Sequence, residues 1–546
     1  MIHHLLALLA AGVPHGPTGT FHAVAFVNDP LSHGTVGDAF LSLNEAIQLQ
    51  AGTLQLAQLS AAEQIQVSLL PGTGPNTDIT WIDVDSEVVA TITIQQDLDP
   101  ISNTPFGLLL RGSGGEVTLD FSGANLTHGI RSTSNGIIVE GFRFVGGPYG
   151  IDADLADASG QTGCTVIDCT FENQAQFGVR ATGTQANGVG RLILQNCRFD
   201  NVAAPVLVDE SPAGRNTIFE AHDVRITGAT DAFDLAIGTG GTARFTFDRV
   251  RIQCTGTGID LLAPATNGRP TLVEGLHTRI RAATCARIDA ASDAVTWLQC
   301  SMWNLLASPG GTSLELGAPG AQVYGDLNEL RSEGDLTITT GAAPLPLTIR
   351  NLRARNGNVT LSTEPTQALL VTESRLTDCV TATAGTGVVD LDGSCFDGGT
   401  VGATGPNGLL AATGCYLSSA GPGVTVSQPL PQPQLGAMTV SPDDVPFGGS
   451  IQFQADLPAG LVCAFALGTV PSTLPALPPP FYVYLDLNEF VFLPGVYVGQ
   501  QSATWTVPAQ PAFFGADLVV QAAVLPVGPL QAPPLQLPPG WLFTVQ

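Results

Sequence analysis

Six short stretches of this chain set a charged residue between two apolar ones: Ile151-Asp152-Ala153, Val179-Arg180-Ala181, Phe233-Asp234-Leu235, Ile259-Asp260-Leu261, Ile288-Asp289-Ala290 and Leu314-Glu315-Leu316. If these stretches are neighbouring strands, Asp234, Asp260, Asp289 and Glu315 form a column of carboxyl groups. Like charges directly opposed destabilise a sheet. Such a column therefore lies open to solvent, binds a cation or a sugar, or has some of its pKa values raised. Two carboxyl groups about 5 Å apart also suit a retaining glycosidase, and wider pairs an inverting one. Under that reading Asp234, Asp260 and Asp289, with an arginine, are the catalytic candidates.

A second set is basic. Arg143, Arg198, Arg225, Arg251 and Arg279 recur at one position of a repeated pattern, interrupted by Thr170 and continued by Arg353 and Arg375. Guanidinium forks in a row can grip an extended anionic polymer. The alternative is a solvated face on which nearby acids offset the cations. Two residues earlier, on the same outward face by alternation, come Asp168, Asn196, Asp223, Arg249, His277, Asn351 and Glu373. A third feature is the loop Asp152-Ala153-Asp154-Leu155-Ala156-Asp157, where Asp152, Asp154 and Asp157 are the candidate calcium ligands. It lacks the glycine and terminal glutamate of a helix-loop-helix calcium site. No other metal or cofactor is expected.

Columns need stacked strands to hold them, and the chain supplies a repeat. Thr165-Val166-Ile167-Asp168-Cys169-Thr170-Phe171-Glu172-Asn173 returns as Leu192-Ile193-Leu194-Gln195-Asn196-Cys197-Arg198-Phe199-Asp200-Asn201, with looser copies ending at Phe144, Ile226, Ile252 and Ile280. Apolar and polar residues alternate within each copy, the mark of a strand with one face buried. A short strand returning every 26–28 residues predicts a solenoid whose coils stack in parallel. That geometry places Phe171, Phe199, Ile226 and Ile252 in one internal column. Cys169, Cys197, Cys300 and Cys415 share the inward position that Phe142, Val224, Val250 and Leu352 fill elsewhere, and read as small core residues. A bond between stacked Cys169 and Cys197 stays open.

Composition narrows the partners. The net charge of −27 argues against nucleic acid, whose phosphates require a basic surface, and against anionic lipid. All 20 cationic side chains are arginine; there is no lysine. Met1–Val13 holds a short apolar run followed by Pro14, Gly16 and Pro17, which reads as a secretory signal peptide over residues 1–19. No later stretch has the length of uncharged apolar sequence that a membrane span needs.

Residues 20–105 read as an N-terminal cap: a strand at Ala23–Val27, an acidic glycine-containing loop, then a helix opened by Ser42 and Glu45 at capping-box spacing. This order resembles exported right-handed parallel β-helix repeat proteins, many of which begin with a strand, such a loop and a Ser-Leu-Arg-Glu-Ala-Ile helix. Ser42, Leu43, Glu45, Ala46 and Ile47 match, and Asn44 replaces the arginine. Leu108-Leu109-Leu110-Arg111-Gly112 and Val117-Thr118-Leu119-Asp120 are similar to the first coils of that family. The expected fold is therefore all-β, a right-handed parallel β-helix over 106–427. A Pro-rich linker at 428–437 and a small β-sandwich at 438–546 follow, the last resembling C-terminal all-β modules of secreted bacterial proteins.

The same resemblance raises pectin and alginate enzymes. Polygalacturonase-like proteins carry Asn-Thr-Asp, Asp-Asp, Gly-His-Gly and Arg-Ile-Lys in their coils. Here Asn76-Thr77-Asp78 precedes the coils, Asp443-Asp444 follows them, Gly-His-Gly is absent, and the fourth motif is impossible without lysine. Lyases that use arginine as base together with calcium stay open. The expectation is a secreted or cell-surface protein of adhesive, structural or glycan-binding role, with polysaccharide or a cell-surface component as partner. The alternative is a polysaccharide lyase or glycoside hydrolase acting on an extended polymer, uronate chains among the candidates.

Overall fold

The computed structural model describes residues 23–545 apart from a number of stretches, the longer ones being 70–78, 155–161, 264–269, 404–408, 418–423, 428–436, 470–489, 509–516 and 527–540. The signal-peptide expectation thus lies outside the described residues, as does nearly all of the expected linker. The chain forms a parallel β-solenoid built from three sheets. Ile137–Glu140, Thr162–Ile167, Gly188–Gln195, Arg215–His222 and Ala243–Asp248 belong to the first sheet, each paired in parallel with the next. Phe142–Val145, Thr170–Glu172, Arg198–Asp200, Arg225–Ala229 and Arg251–Cys254 belong to the second. Tyr149–Asp154, Phe177–Thr182, Ala204–Glu210, Phe233–Ile237 and Thr257–Ala263 belong to the third. Further on, Pro270–Ala290 and Val295–Leu316 run through all three sheets without a break. In the solenoid, parallel pairing begins as early as Ala23–Val27 and Trp81–Asp85, and the last strand of the stack is Val424–Ser427.

Alternation makes each strand two-faced, and stacking turns the inward faces into a continuous core. Leu119, Phe144, Phe171, Phe199, Ile226, Ile252, Ile280 and Leu305 are successive register partners, so the predicted internal column exists. All eight are at most 3% exposed. The rings of Phe144, Phe171 and Phe199 lie nearly parallel with centroids 4.8 and 4.7 Å apart. Glycine at 150 and 178 answers to these rings. A Cβ at Gly178 would lie 2.7 Å from two ring carbons of Phe199.

Cys169 and Cys197 line the corner between first and second sheets, in series with Val224 and Val250, whose carbonyls accept from the next coil in the same way. Both thiols are free. Burial pushes the Cys169 thiol well up and that of Cys197 to about 12. Cys300 departs from the expectation: it stands in the first sheet between Gly275 and Leu327, and the corner position of its coil belongs to Trp303, which pairs with Thr278 and Leu330. The indole of Trp303 fills the space a Cβ at 275 would need, which is why that rung carries glycine.

Helix α1 (Leu43–Ala51) has the capping box: the Ser42 amide donates to Glu45 Oε2 at 2.9 Å and the Glu45 amide to Ser42 Oγ at 3.3 Å. Its buried Leu43, Ala46, Ile47 and Leu49 join the solenoid core. Beyond the solenoid, Ala437–Ser441, Ser450–Asp456 and Gln501–Thr506 form one antiparallel sheet. A second contains Leu461–Thr469, Phe490–Phe492, Asp517–Pro526 and Trp541–Val545. Their buried side chains, among them Ile451, Phe453, Phe465 and Val520, form a cluster separate from the solenoid's.

Candidate functional site

The third sheet carries the acidic set. Its outward register runs Arg131, Asp152, Arg180, Leu207, Asp234, Asp260, Arg287, Glu315, Thr337. Asp234 and Asp260 are neighbours, as expected. Asp289 is not among them: it pairs with Leu262, two positions along, and Arg287 takes the expected place. Both Ala286-Arg287-Ile288 and Ile288-Asp289-Ala290 satisfy alternation, and the backbone irregularity between Ala282 and Thr284 accompanies the shorter spacing. Glu315 therefore faces Arg287, not an acid.

The column is thus mostly a ladder of opposite charges. Arg287 reaches back to Asp260 with two hydrogen bonds, Nε to Oδ1 at 3.0 Å and NH2 to Oδ2. Asp234 keeps acids around it: burial first, then Asp260, Asp231 and Asp209, push its carboxyl above the usual range. Asp152 is 7% exposed and lies between His128 Nδ1 at 3.4 Å and Arg180 NH1 at 3.8 Å. Of the calcium candidates, Asp154 pairs with Thr182 on the next coil, and Asp157 lies outside the described residues. Among the described residues no three His, Cys, Asp or Glu side chains converge as metal ligands.

The second sheet carries the basic set, in register throughout: Arg143, Thr170, Arg198, Arg225, Arg251, Arg279, Asn304, Arg331, Arg353, Arg375. Arg331 belongs to the column and went unread, although Leu330-Arg331-Ser332 has the right form. The column two residues on decides its charge. Near the start it holds Glu172 and Asp200: Arg143 binds Glu172 at 3.0 and 2.6 Å, and Arg198 binds Asp200 at 2.5 Å. Further along it holds Glu333, bonded by Arg331 at 2.8 Å and by Arg355. Between these ends it holds Thr227, Gln253, Arg281 and Leu306. Arg225 and Arg251 are half-buried, Arg281 is exposed, and Arg279 is only 8% exposed.

The residues two before the arginines are not part of a strand face, which corrects that expectation. Asp168, Asn196, Asp223, Arg249, His277, Met302, Glu329 and Asn351 all have φ between 51° and 56° and form the turn between the first and second sheets; Glu373 lies outside the described residues. Asp, Asn and His are the side chains most often found in this left-handed conformation; Arg, Met and Glu adopt it under strain. Two pairs in this column interact: Asn196 Nδ2 donates to Asp168 at 2.6 Å, and Arg249 forks onto Asp223 at 2.6 and 2.8 Å. His222, nearby on the first sheet, lies 3.6 Å from Asp248 and 3.7 Å from Glu220, and these acids raise its pKa to about 9. His277 is 2% exposed, and burial lowers its pKa to about 4.

The outward face of the first sheet was not singled out from sequence. Arg244, Leu272, Trp297 and Tyr324 are successive register partners there. The signal existed: Trp297 and Tyr324 stand one repeat apart in otherwise alternating strands. Compared with known proteins, the chain matches no family model and no curated sequence. Among the described residues no helix is long and apolar enough to cross a membrane.

Proposed function

We propose that the solenoid is an exported, non-catalytic rod that holds an extended anionic polysaccharide along its second sheet. The observation that carries this reading is the unbroken register of Arg225, Arg251 and Arg279, with the exposed Arg281 two residues on, which stacks arginines on three successive coils of one sheet. Consecutive rungs are ~4.8 Å apart, so three adjacent coils present guanidinium groups along one line. In a chain of net charge −27, a local run of cations is a selective attraction for an anionic chain: elsewhere the surface repels it. Export rests on the leader-like N-terminus and on the resemblance of the cap. In the double variant Arg225→Ala/Arg251→Ala, affinity for polygalacturonate should fall about tenfold or more, with a weaker salt dependence, measured by isothermal titration calorimetry. Arg353→Ala serves as the control. Unchanged binding in the double variant would remove the assignment.

A second reading is favoured by one observation, the contrast between Asp234 and Asp260. Asp234 is pushed towards its protonated form, while Asp260 is the carboxylate that Arg287 bonds. Adjacent carboxyl groups with unlike surroundings are what a glycosidase acid and its partner need. On this reading Asp234 is the acid and Asp260 the nucleophile or base. Asp234→Asn should then abolish the release of reducing ends from a susceptible polysaccharide, and Asp289→Asn should leave it intact. Turnover that survives Asp234→Asn excludes the pair.

A further inference from the structure

We propose that Trp297 and Tyr324 form a stacking platform for a neutral polysaccharide on the first sheet, separate from the arginine stretch on the second. Trp297 is 43% exposed, whereas Trp303, six residues on, is 3% exposed. Trp297 thus keeps a large, rigid apolar face open, with an N–H at its edge. Trp297 sits against the next coil at Gly325, where a Cβ would come 2.8 Å from its Cδ1. A Cβ there would also collide with the Leu298 carbonyl oxygen, so the glycine serves the close passage of the two coils as well as the ring.

Register supplies the rest of the site. Tyr324 is the partner of Trp297 one coil on, and Leu272 its partner one coil back, so three apolar side chains follow each other along the rod at ~4.8 Å per step. Two residues further along each strand, on the same outward face, stand Glu274, Gln299 and Asp326. Gln299 and Asp326 are exposed. Arg244 holds Glu274 in place at 2.8 and 2.7 Å. The arrangement is an apolar line with a parallel line of carboxylate and amide oxygens beside it. A pyranose matches it: the C–H face of the ring packs on the aromatic face while its hydroxyls donate to the oxygens. Glu274 is paired with Arg244 and Asp326 lies 4.0 Å from Arg350, so the line beside the rings carries little net charge and suits an uncharged sugar. A protein partner fits poorly, because the apolar line is one side chain wide and a stable protein interface needs about 1,000 Å².

The test uses the full chain and three neutral probes, cellohexaose, mannohexaose and xylohexaose, titrated at up to millimolar concentration against tryptophan fluorescence and checked by calorimetry. At least one probe should bind, with Trp297→Ala weakening it about tenfold or more and Trp297→Phe retaining most of the affinity. Tyr324→Ala should weaken it to a smaller degree, and Arg225→Ala/Arg251→Ala should leave it unchanged. Circular dichroism establishes that each variant is folded, and Trp297→Phe keeps the test sound if the alanine variant is not. The proposal is overturned if no neutral probe binds, if Trp297→Ala binds like the parent, or if Trp297 proves necessary for polygalacturonate instead. Because the arginine variants are read separately, the platform and the anionic groove can fail independently.

Discussion

Replacing Phe171 with alanine should destabilise the fold by about 3–5 kcal/mol, the range for deleting a fully buried aromatic ring. Phe171 is 0% exposed and stacked on both sides, at 4.8 Å from Phe144 and 4.7 Å from Phe199. A solenoid has little means of closing the gap, since the backbone rungs above and below are held apart by their own hydrogen bonds. The neighbouring Gly150 also lacks a side chain that could swing in: its Cβ position is already taken by the Phe171 ring, 2.6 and 2.7 Å away. Ile252→Val, lower in the same column, should cost only about 0.5–1.5 kcal/mol. Urea unfolding of the two variants beside the parent gives the comparison. A Phe171→Ala loss below about 1 kcal/mol would mean that the ring stack is not the packing unit described here.

The second large effect is on the acid side of the pH–stability curve and comes from His277. Its pKa falls from 6.5 to about 4 in the folded chain, with burial as the main cause, Asp248 opposing and Arg249 assisting. A depressed histidine stays neutral in the fold while the unfolded chain takes up a proton. Its contribution is therefore complete above pH 6.5, declines as pH falls towards 4, and is then constant. At about 1.4 kcal/mol per unit the loss is about 3 kcal/mol. His222 has the opposite sign. Its pKa is raised to about 9 by Asp248 and Glu220, so its contribution is present below 6.5 and fades as pH rises through 9. With its side chain 32% exposed, solvent screening makes this alkaline loss smaller than the acid one. Unfolding curves from pH 4 to 9 should show both slopes, with His277→Asn flattening the acid one and His222→Gln the alkaline one. Asparagine also suits position 277, because it accepts the left-handed backbone found there. An acid slope that persists in His277→Asn would show that the ring is not the group responsible.

The repeat was legible because inward positions accept so few residue types. Phe171, Phe199, Ile226 and Ile252 announce themselves by being apolar, alternating and 26–28 apart, and the arginine column follows from the same frame. Asp289 was misplaced for a physical reason: alternation has period two, so a shift by two residues keeps every side chain on its own face. Only the conformation of the corner near Ala282 chooses between Arg287 and Asp289, and that conformation has no simple signature in residue types. The turn residues from Asp168 to Asn351 were misread for a related reason. A left-handed turn keeps the count of outward positions while leaving the strand, and Arg249, Met302 and Glu329 are not residues from which such a turn is read. Trp297 and Tyr324 obey the same period, but two aromatic residues one coil apart make too short a series to stand out beside columns of charge.

The parallel register fixes more than a core. Each coil touches mainly its two neighbours, so the rod works as a ruler whose graduations are set by backbone hydrogen bonds and not by side chains. Gain or loss of one whole coil would lengthen or shorten the markings for a ligand by a single division without asking the interior to repack. A slip of one residue, by contrast, would turn every marking inside out.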